Sequence, residues 1–247
     1  MISTRQIILS CKTFDTDSEF MKHPYILYPL FIITLIFQGC SHKQVQSPSI
    51  LEIVDVDYRF STKNLIVFSA ENKVDKSSVY EWQNHWLIYG ELKDIANLKS
   101  KLETLYPRLI LKLYDKPFYN FNRQKYSNLK PAAEWDNIIM TANLVEDTLK
   151  QREYLEYHRT QFKNWPEISN GFSRADFQQV LVFRNGRQLM LIISIPKGES
   201  LDKLNPKTVE NNPRVNTWNS IMSHYQQGIE DAPKGTTWLL FKSVGRW

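Results

Sequence analysis

The sequence predicts an α+β protein built from two units in tandem, and three observations carry that expectation. Short runs rich in Val, Ile, Tyr and Phe alternate with segments whose apolar residues recur at helical spacing. Over residues 135–247 the order of elements reads βαββαβ, with Asn185 and Gly186 marking a tight hairpin in its middle. The composition, 42% apolar with 8 Gly and 11 Pro in 247 residues, is that of an ordinary globular chain. It is long enough for one large core or two small ones without covalent staples.

Composition also removes several functional classes. Two cysteines exclude a disulfide scaffold and a thiolate zinc site, and five histidines leave few ligand sets for any other metal. The formal charge of +5 comes from 31 basic and 26 acidic residues scattered along the chain, not from the clustered basic face that nucleic acid requires. No Gly-rich phosphate loop, His-carboxylate metal spacing or nucleophile elbow is present in the sequence. No cofactor and no nucleic-acid partner are therefore expected.

Residues 1–39 read as a leader. Ile26–Phe37 is an apolar run interrupted by Pro29, shorter than the ~20 residues of a spanning helix and sized for a secretory signal. Gly39 directly before Cys40 is the arrangement of a bacterial lipoprotein signal, although Phe37 stands where that motif usually has leucine. Cys40 is expected to carry lipid, with residues 40–49 as a polar tether and the cell membrane or outer membrane as the location. Asp15, Asp17 and Glu19 do not suit a basic n-region, whereas Met21 followed by Lys22 does, so Met21 is the expected translation start.

In the unit over residues 50–121, Ile50–Phe60, Leu65–Ser69 and Trp86–Tyr89 read as strands. Ile95, Leu98, Leu102 and Leu105 then mark a helix stopped by Pro107, and Leu109–Tyr114 returns as a strand. Residues 122–134 have no sustained period and read as a linker. In the unit over 135–247, Ile138–Leu144 is a strand and a helix runs from about Glu146 to Asn164, ended by Pro166. The hairpin strands Phe177–Phe183 and Gln188–Ile195 follow. A second helix then begins with Pro213 after Asn212, and Thr236–Val244 closes the unit. This order is the ferredoxin-like split, two helices on one face of an antiparallel sheet. The bare sheet face needs cover. A tandem ferredoxin-like unit in the same chain would give a dimeric α+β barrel within one molecule, and a homodimer is the other way to supply it.

The chemistry-bearing residues cluster on the helix over 146–164. Tyr154, Tyr157, His158, Gln161 and Trp165 share one face, an aromatic wall carrying hydroxyl, imidazole and amide groups of the kind that stacks on sugar rings and binds their hydroxyls. On the second helix Val215, Trp218, Ile221, Met222 and Tyr225 fall at core spacing, so Trp218 is as well explained by packing. Gln179 is a polar residue alternating with Phe177, Leu181 and Phe183, and a buried amide needs partners. His85, beside Trp82 and Trp86, is a smaller candidate cluster.

The segment Tyr154–Ile168, YLEYHRTQFKNWPEI, together with the hairpin and the helix containing Trp218, resembles the L-rhamnose mutarotase family of small dimeric α+β-barrel proteins. The resemblance implies metal-free interconversion of the α and β anomers of L-rhamnose or a related deoxysugar. Residue by residue it places Tyr157 as a substrate-binding tyrosine and Trp218 as the first of a tryptophan pair. Gln161 stands where the family has its acid histidine, Gln179 where it has a tyrosine and Asn219 where it has the second tryptophan. Glutamine cannot relay a proton, so His158 is the expected proton donor, assisted by Tyr157, with Gln161, Gln179, Trp165, Trp218 and Asn219 binding the sugar. The alternative is a non-catalytic sugar-binding lipoprotein of a polysaccharide-utilisation system, and a third reading makes the aromatics simple interdomain core.

Overall fold

The computed structural model describes residues 47–126 and 128–246. The leader, the Met21 start and the lipidated Cys40 lie outside the described residues. Among the described residues no helix is long and apolar enough to cross a membrane.

The first unit runs β1 (Ser49–Val54), α1 (Thr62–Glu71), β2 (Val79–Trp82), β3 (His85–Gly90), α2 (Ile95–Leu105) and β4 (Ile110–Tyr114). The segment Leu65–Ser69, expected as a strand from its β-branched residues, is helical. Ser61 and Asn64 form a reciprocal cap at its start, and Leu65, Phe68 and Ser69 are buried at i, i+3 and i+4, a pattern that only a helix satisfies. β1 ends six residues before Phe60 because the Asp55 carboxylate accepts from the backbone N–H groups of Asp57, Arg59 and Phe60 and folds the chain into a turn.

After β5 (Tyr119–Asn122) and the helical turn α3 (Arg123–Tyr126), the second unit consists of β6 (Trp135–Leu144), α4 (Thr148–Asn164), α5 (Pro166–Arg174), β7 (Gln179–Asn185), β8 (Gln188–Pro196), the short α6 (Leu201–Leu204) and α7 (Pro206–Val209), α8 (Pro213–Ser223), β9 (Gln226–Gln227) and β10 (Leu239–Ser243). Asn185 pairs with Gln188, leaving Gly186 and Arg187 as the loop, and Gly186 supplies the positive φ of 58° that a two-residue hairpin needs.

Strand order shows the same fold twice. The sheet runs β4-β1-β3-β2-β10-β6-β8-β7-β5 and every pairing is antiparallel. Each unit thus has its fourth strand beside its first and its third beside its second, the ferredoxin-like order. Each fourth strand also runs on to the other unit. Leu239–Phe241 of β10 pair with β6, then Lys242 and Ser243 pair with β2. The chain leaving β4 becomes β5 and pairs with β7. The two units therefore form one curled, half-barrel sheet with helices outside.

Three cores follow from this layering. Leu51, Ile53 and Ile88 pack under α1 and α2, while Val180, Val182 and Ile193 pack under α4 and α8. Inside the curl of the sheet, Ile50, Leu87, Leu181, Phe183, Ile192 and Phe241 fill the interior. At one end this interior turns polar: Glu52, fully buried, accepts from the Tyr114 hydroxyl (2.8 Å), Gln188 Nε2 (3.0 Å) and His85 Nδ1 (3.1 Å), with Lys112 Nζ 3.7 Å away. Burial opposes ionisation of Glu52, but the His85 hydrogen bond, the Lys112 charge and the Tyr114 hydrogen bond outweigh it and hold the carboxyl below its usual range. Of the expected tryptophan neighbours of His85, Trp82 packs against it, whereas Trp86 points to the opposite face and donates to Thr62 Oγ1, because strand neighbours alternate.

Candidate functional site

Helix α4 positions the principal side chains. The Asp147 carboxylate caps its first turn by accepting from the N–H groups of Leu149 and Lys150. Gln151, Tyr154, His158 and Gln161 form its buried face. Pro166 forces Trp165 out of helical geometry (φ −136°, ψ 51°), ends α4 and begins α5. Helix α8 starts at Pro213 and buries Val215, Trp218 and Met222. The Asn212 side chain does not cap it and instead donates to the Glu167 carbonyl (2.9 Å), tying α8 to α5.

Between these helices and the sheet lies a cavity of about 350 Å³. Val180, Val182, Leu191 and Ile193 make its floor. Tyr154 and His158 come from α4, Trp218, Asn219 and Met222 from α8, and Gln226 and Trp238 close one side. It is mostly apolar, with a few converging polar groups, as small-molecule sites are.

The histidine is the chemical centre. His158 Nδ1 lies 2.9 Å from the Tyr154 carbonyl, which can only accept, so Nδ1 carries the proton. Nε2 has no partner among the described residues and is left with its lone pair. Burial pushes the imidazole down to about 4, against the opposing effect of the bond to the Tyr154 carbonyl. At neutral pH His158 is therefore a base and hydrogen-bond acceptor, which does not suit the donor role expected from the sequence. Burial raises the Tyr154 phenol, which stays protonated and accepts from Gln226 Nε2 at 3.3 Å. Aromatic rings frame the imidazole, with Phe118, Tyr119, Tyr154 and Trp218 centroids 5.7, 5.3, 4.3 and 5.4 Å away.

The expected site residues divide. His158, Trp218 and Asn219 come together in the cavity. Gln161 does not line it: its Oε1 accepts from the Tyr119 hydroxyl (2.9 Å) and its Nε2 donates to the Trp165 carbonyl (2.9 Å), so the amide is consumed in joining β5 to the end of α4. Tyr157 is half-buried outside the cavity, edge-on to Trp218. Trp165 also backs Trp218, with the Arg214 guanidinium 4.5 Å above its own ring. Gln179 is turned away, because Val180 and Val182 of the same strand face the cavity and strand neighbours alternate. Tyr119, Gln226 and Trp238 line the cavity without having been expected there, since no local pattern marks them. No group of three His, Cys, Asp or Glu side chains among the described residues is arranged to hold a metal ion.

Fold and cavity together define a tandem ferredoxin-like α+β protein with a small-molecule pocket under the helices of its second unit. Residues 137–244, which contain α4, α8 and most of the cavity wall, match the family model described as L-rhamnose mutarotase. In the solved structures a candidate monooxygenase from Fusobacterium nucleatum subsp. nucleatum is similar at 10% identity and a TM-score of 0.38, over 79% of this chain and 91% of that one. No curated protein sequence matches the chain.

Proposed function

We propose that the chain interconverts the anomers of L-rhamnose or a closely related deoxysugar. The observation that carries this is a neutral imidazole, with Nδ1 fixed and Nε2 free, in an aromatic-walled cavity within the segment that matches the mutarotase family. Trp218, Met222 and Trp238 offer apolar surface to a ring and its methyl group, while Asn219, Asn205 and Gln226 offer amides to hydroxyls. His158 Nε2 takes the proton of the anomeric hydroxyl as the bond from C1 to the ring oxygen breaks and C1 becomes a carbonyl. The ring oxygen takes up the proton held by the imidazolium, which returns to its neutral form. Rotation about C1–C2 and the reverse steps close the ring on the other face.

Exchange NMR of the α and β anomers of L-rhamnose tests this. Wild type is expected to accelerate exchange, and His158→Ala to lower that acceleration by about 10²-fold or more, the usual worth of a positioned acid-base group. An unchanged rate in the variant removes His158, and no acceleration by wild type removes the enzyme. The locked Gln161 amide favours one other reading, a sugar binder without catalysis, which would show calorimetric affinity and no exchange. Lipid on Cys40 would place this activity at a membrane surface. Cys40→Ser is then expected to release the protein from the membrane fraction, and retention there would refute the tether.

A further inference from the structure

The first unit contributes little to the cavity lining, yet it grips the segment that builds one cavity wall. Residues 228–236 form a strap between β9 and the chain entering β10. At its neck Gly228 lies so close to Thr236 that a Cβ there would overlap the Thr236 carbonyl oxygen. Within the strap, backbone hydrogen bonds run only from Ala232 N–H to the Ile229 carbonyl and from Thr236 N–H to the Pro233 carbonyl, so tertiary contacts set its place. Two such contacts are evident. Ile229 is buried in the core inside the curl of the sheet, and Asp231 Oδ2 lies 3.4 Å from His85 Nε2. His85 is in turn held through Nδ1 by the buried Glu52 carboxylate at 3.1 Å.

Just outside the neck stand Gln226 and Trp238, both lining the cavity. Trp238 Nε1 donates to Gln226 Oε1 at 3.1 Å, and Gln226 Nε2 donates to the Tyr154 hydroxyl at 3.3 Å. We propose that His85 and Asp231 are positioning residues: the first unit holds the strap, and the strap sets Gln226 and Trp238 as the wall of the sugar pocket in the second. The role of the wall in sugar binding rests on the function proposed above. The mechanical link does not.

The seven indole N–H signals of the protein report the link directly in ¹H–¹⁵N spectra. Asp231→Ala alters a half-exposed side chain and should leave the fold intact. Its Trp238 signal is expected to move and broaden while that of Trp135, whose indole donates to the Ala132 carbonyl, holds. Gly228→Ala, which pries open the neck, is expected to do the same, and Asp231→Glu to restore the wild-type signal. With L-rhamnose, Asp231→Ala is expected to weaken apparent affinity roughly 3- to 10-fold while the rate at saturation changes less than about twofold, because the wall orients sugar without moving a proton. A wild-type Trp238 signal in Asp231→Ala overturns the proposal. So does a shift spread over all seven indoles, which marks general loss of packing, while an unaltered affinity beside a moved Trp238 overturns the wall's part in sugar binding. Because the indole spectrum needs no sugar, the strap is decided even where the mutarotase reading fails.

Discussion

Glu52→Ala is expected to lower the free energy of unfolding by about 3–5 kcal/mol, the cost typical of removing one partner from a buried ionic cluster. The side chain is fully buried and ionised, and its two oxygens satisfy Tyr114, Gln188 and His85 while balancing Lys112. Truncation removes the desolvation penalty of the carboxylate but strands the Tyr114 hydroxyl and His85 Nδ1, while Gln188 keeps Thr141 and Lys112 keeps the Gln188 amide oxygen. The stranded groups outweigh the relief, because an unmade buried hydrogen bond costs about 1–3 kcal/mol each. Glu52→Gln keeps the volume and one acceptor and should cost roughly half as much. Urea denaturation decides it, read as a lower midpoint at unchanged slope. A midpoint equal to wild type in Glu52→Ala would mean that water entering the open end of the interior replaces the carboxylate. Gln188 belongs to β8 and Glu52 to β1, so the cluster also ties the two units. Wild type should therefore unfold in one transition.

The parts of the fold set by local chemistry were legible. The hairpin at Gly186, Pro213 in the first turn of α8 and the Pro166 break each act within a few residues, and the elements they bound lie where the sequence puts them to within a few positions. Elements fixed by distant partners were not. β5 has four residues and among the described residues pairs only with β7, so nothing near Tyr119–Asn122 announces a strand. Helix α1 carries strand-like residues and is held helical by its cap and by burial under β1 and β3.

The candidate site shows the same division. Spacing along α4 correctly grouped Tyr154, His158 and Gln161 on the buried face. Spacing could not say which of them reach the cavity, since Gln161 sits one turn further on, where Tyr119 meets it. Nor could alternation place Gln179, because both faces of β7 are buried and the strand reads as an unbroken apolar run. The wall formed by Gln226 and Trp238 depends on the strap and its grip by His85, a contact between residues 146 positions apart.

The protonation of His158 gives the second large effect, and its sign separates the two roles open to the residue. The imidazole sits at about 4 in the folded protein against an ordinary 6.5, because burial disfavours its charge. As pH falls from 7, the unfolded chain takes up the proton first, so the stability that His158 contributes is complete above about 6.5 and is lost as pH falls toward 4. At 1.36 kcal/mol per pH unit the loss is on the order of 3 kcal/mol. The difference in unfolding free energy between wild type and His158→Gln, followed from pH 7 to pH 4, isolates it, since other groups cancel in the pair. A pH-independent difference would refute the depressed imidazole. Catalysis should follow the same ionisation in a defined direction. Acting as base, His158 keeps the exchange rate level from pH 8 down to about 5 and loses it tenfold per unit below about 4. Acting as donor, it would lose activity as pH rises through the same value and be nearly idle at neutrality. The lone pair left on Nε2 by the Tyr154 bond selects the first profile.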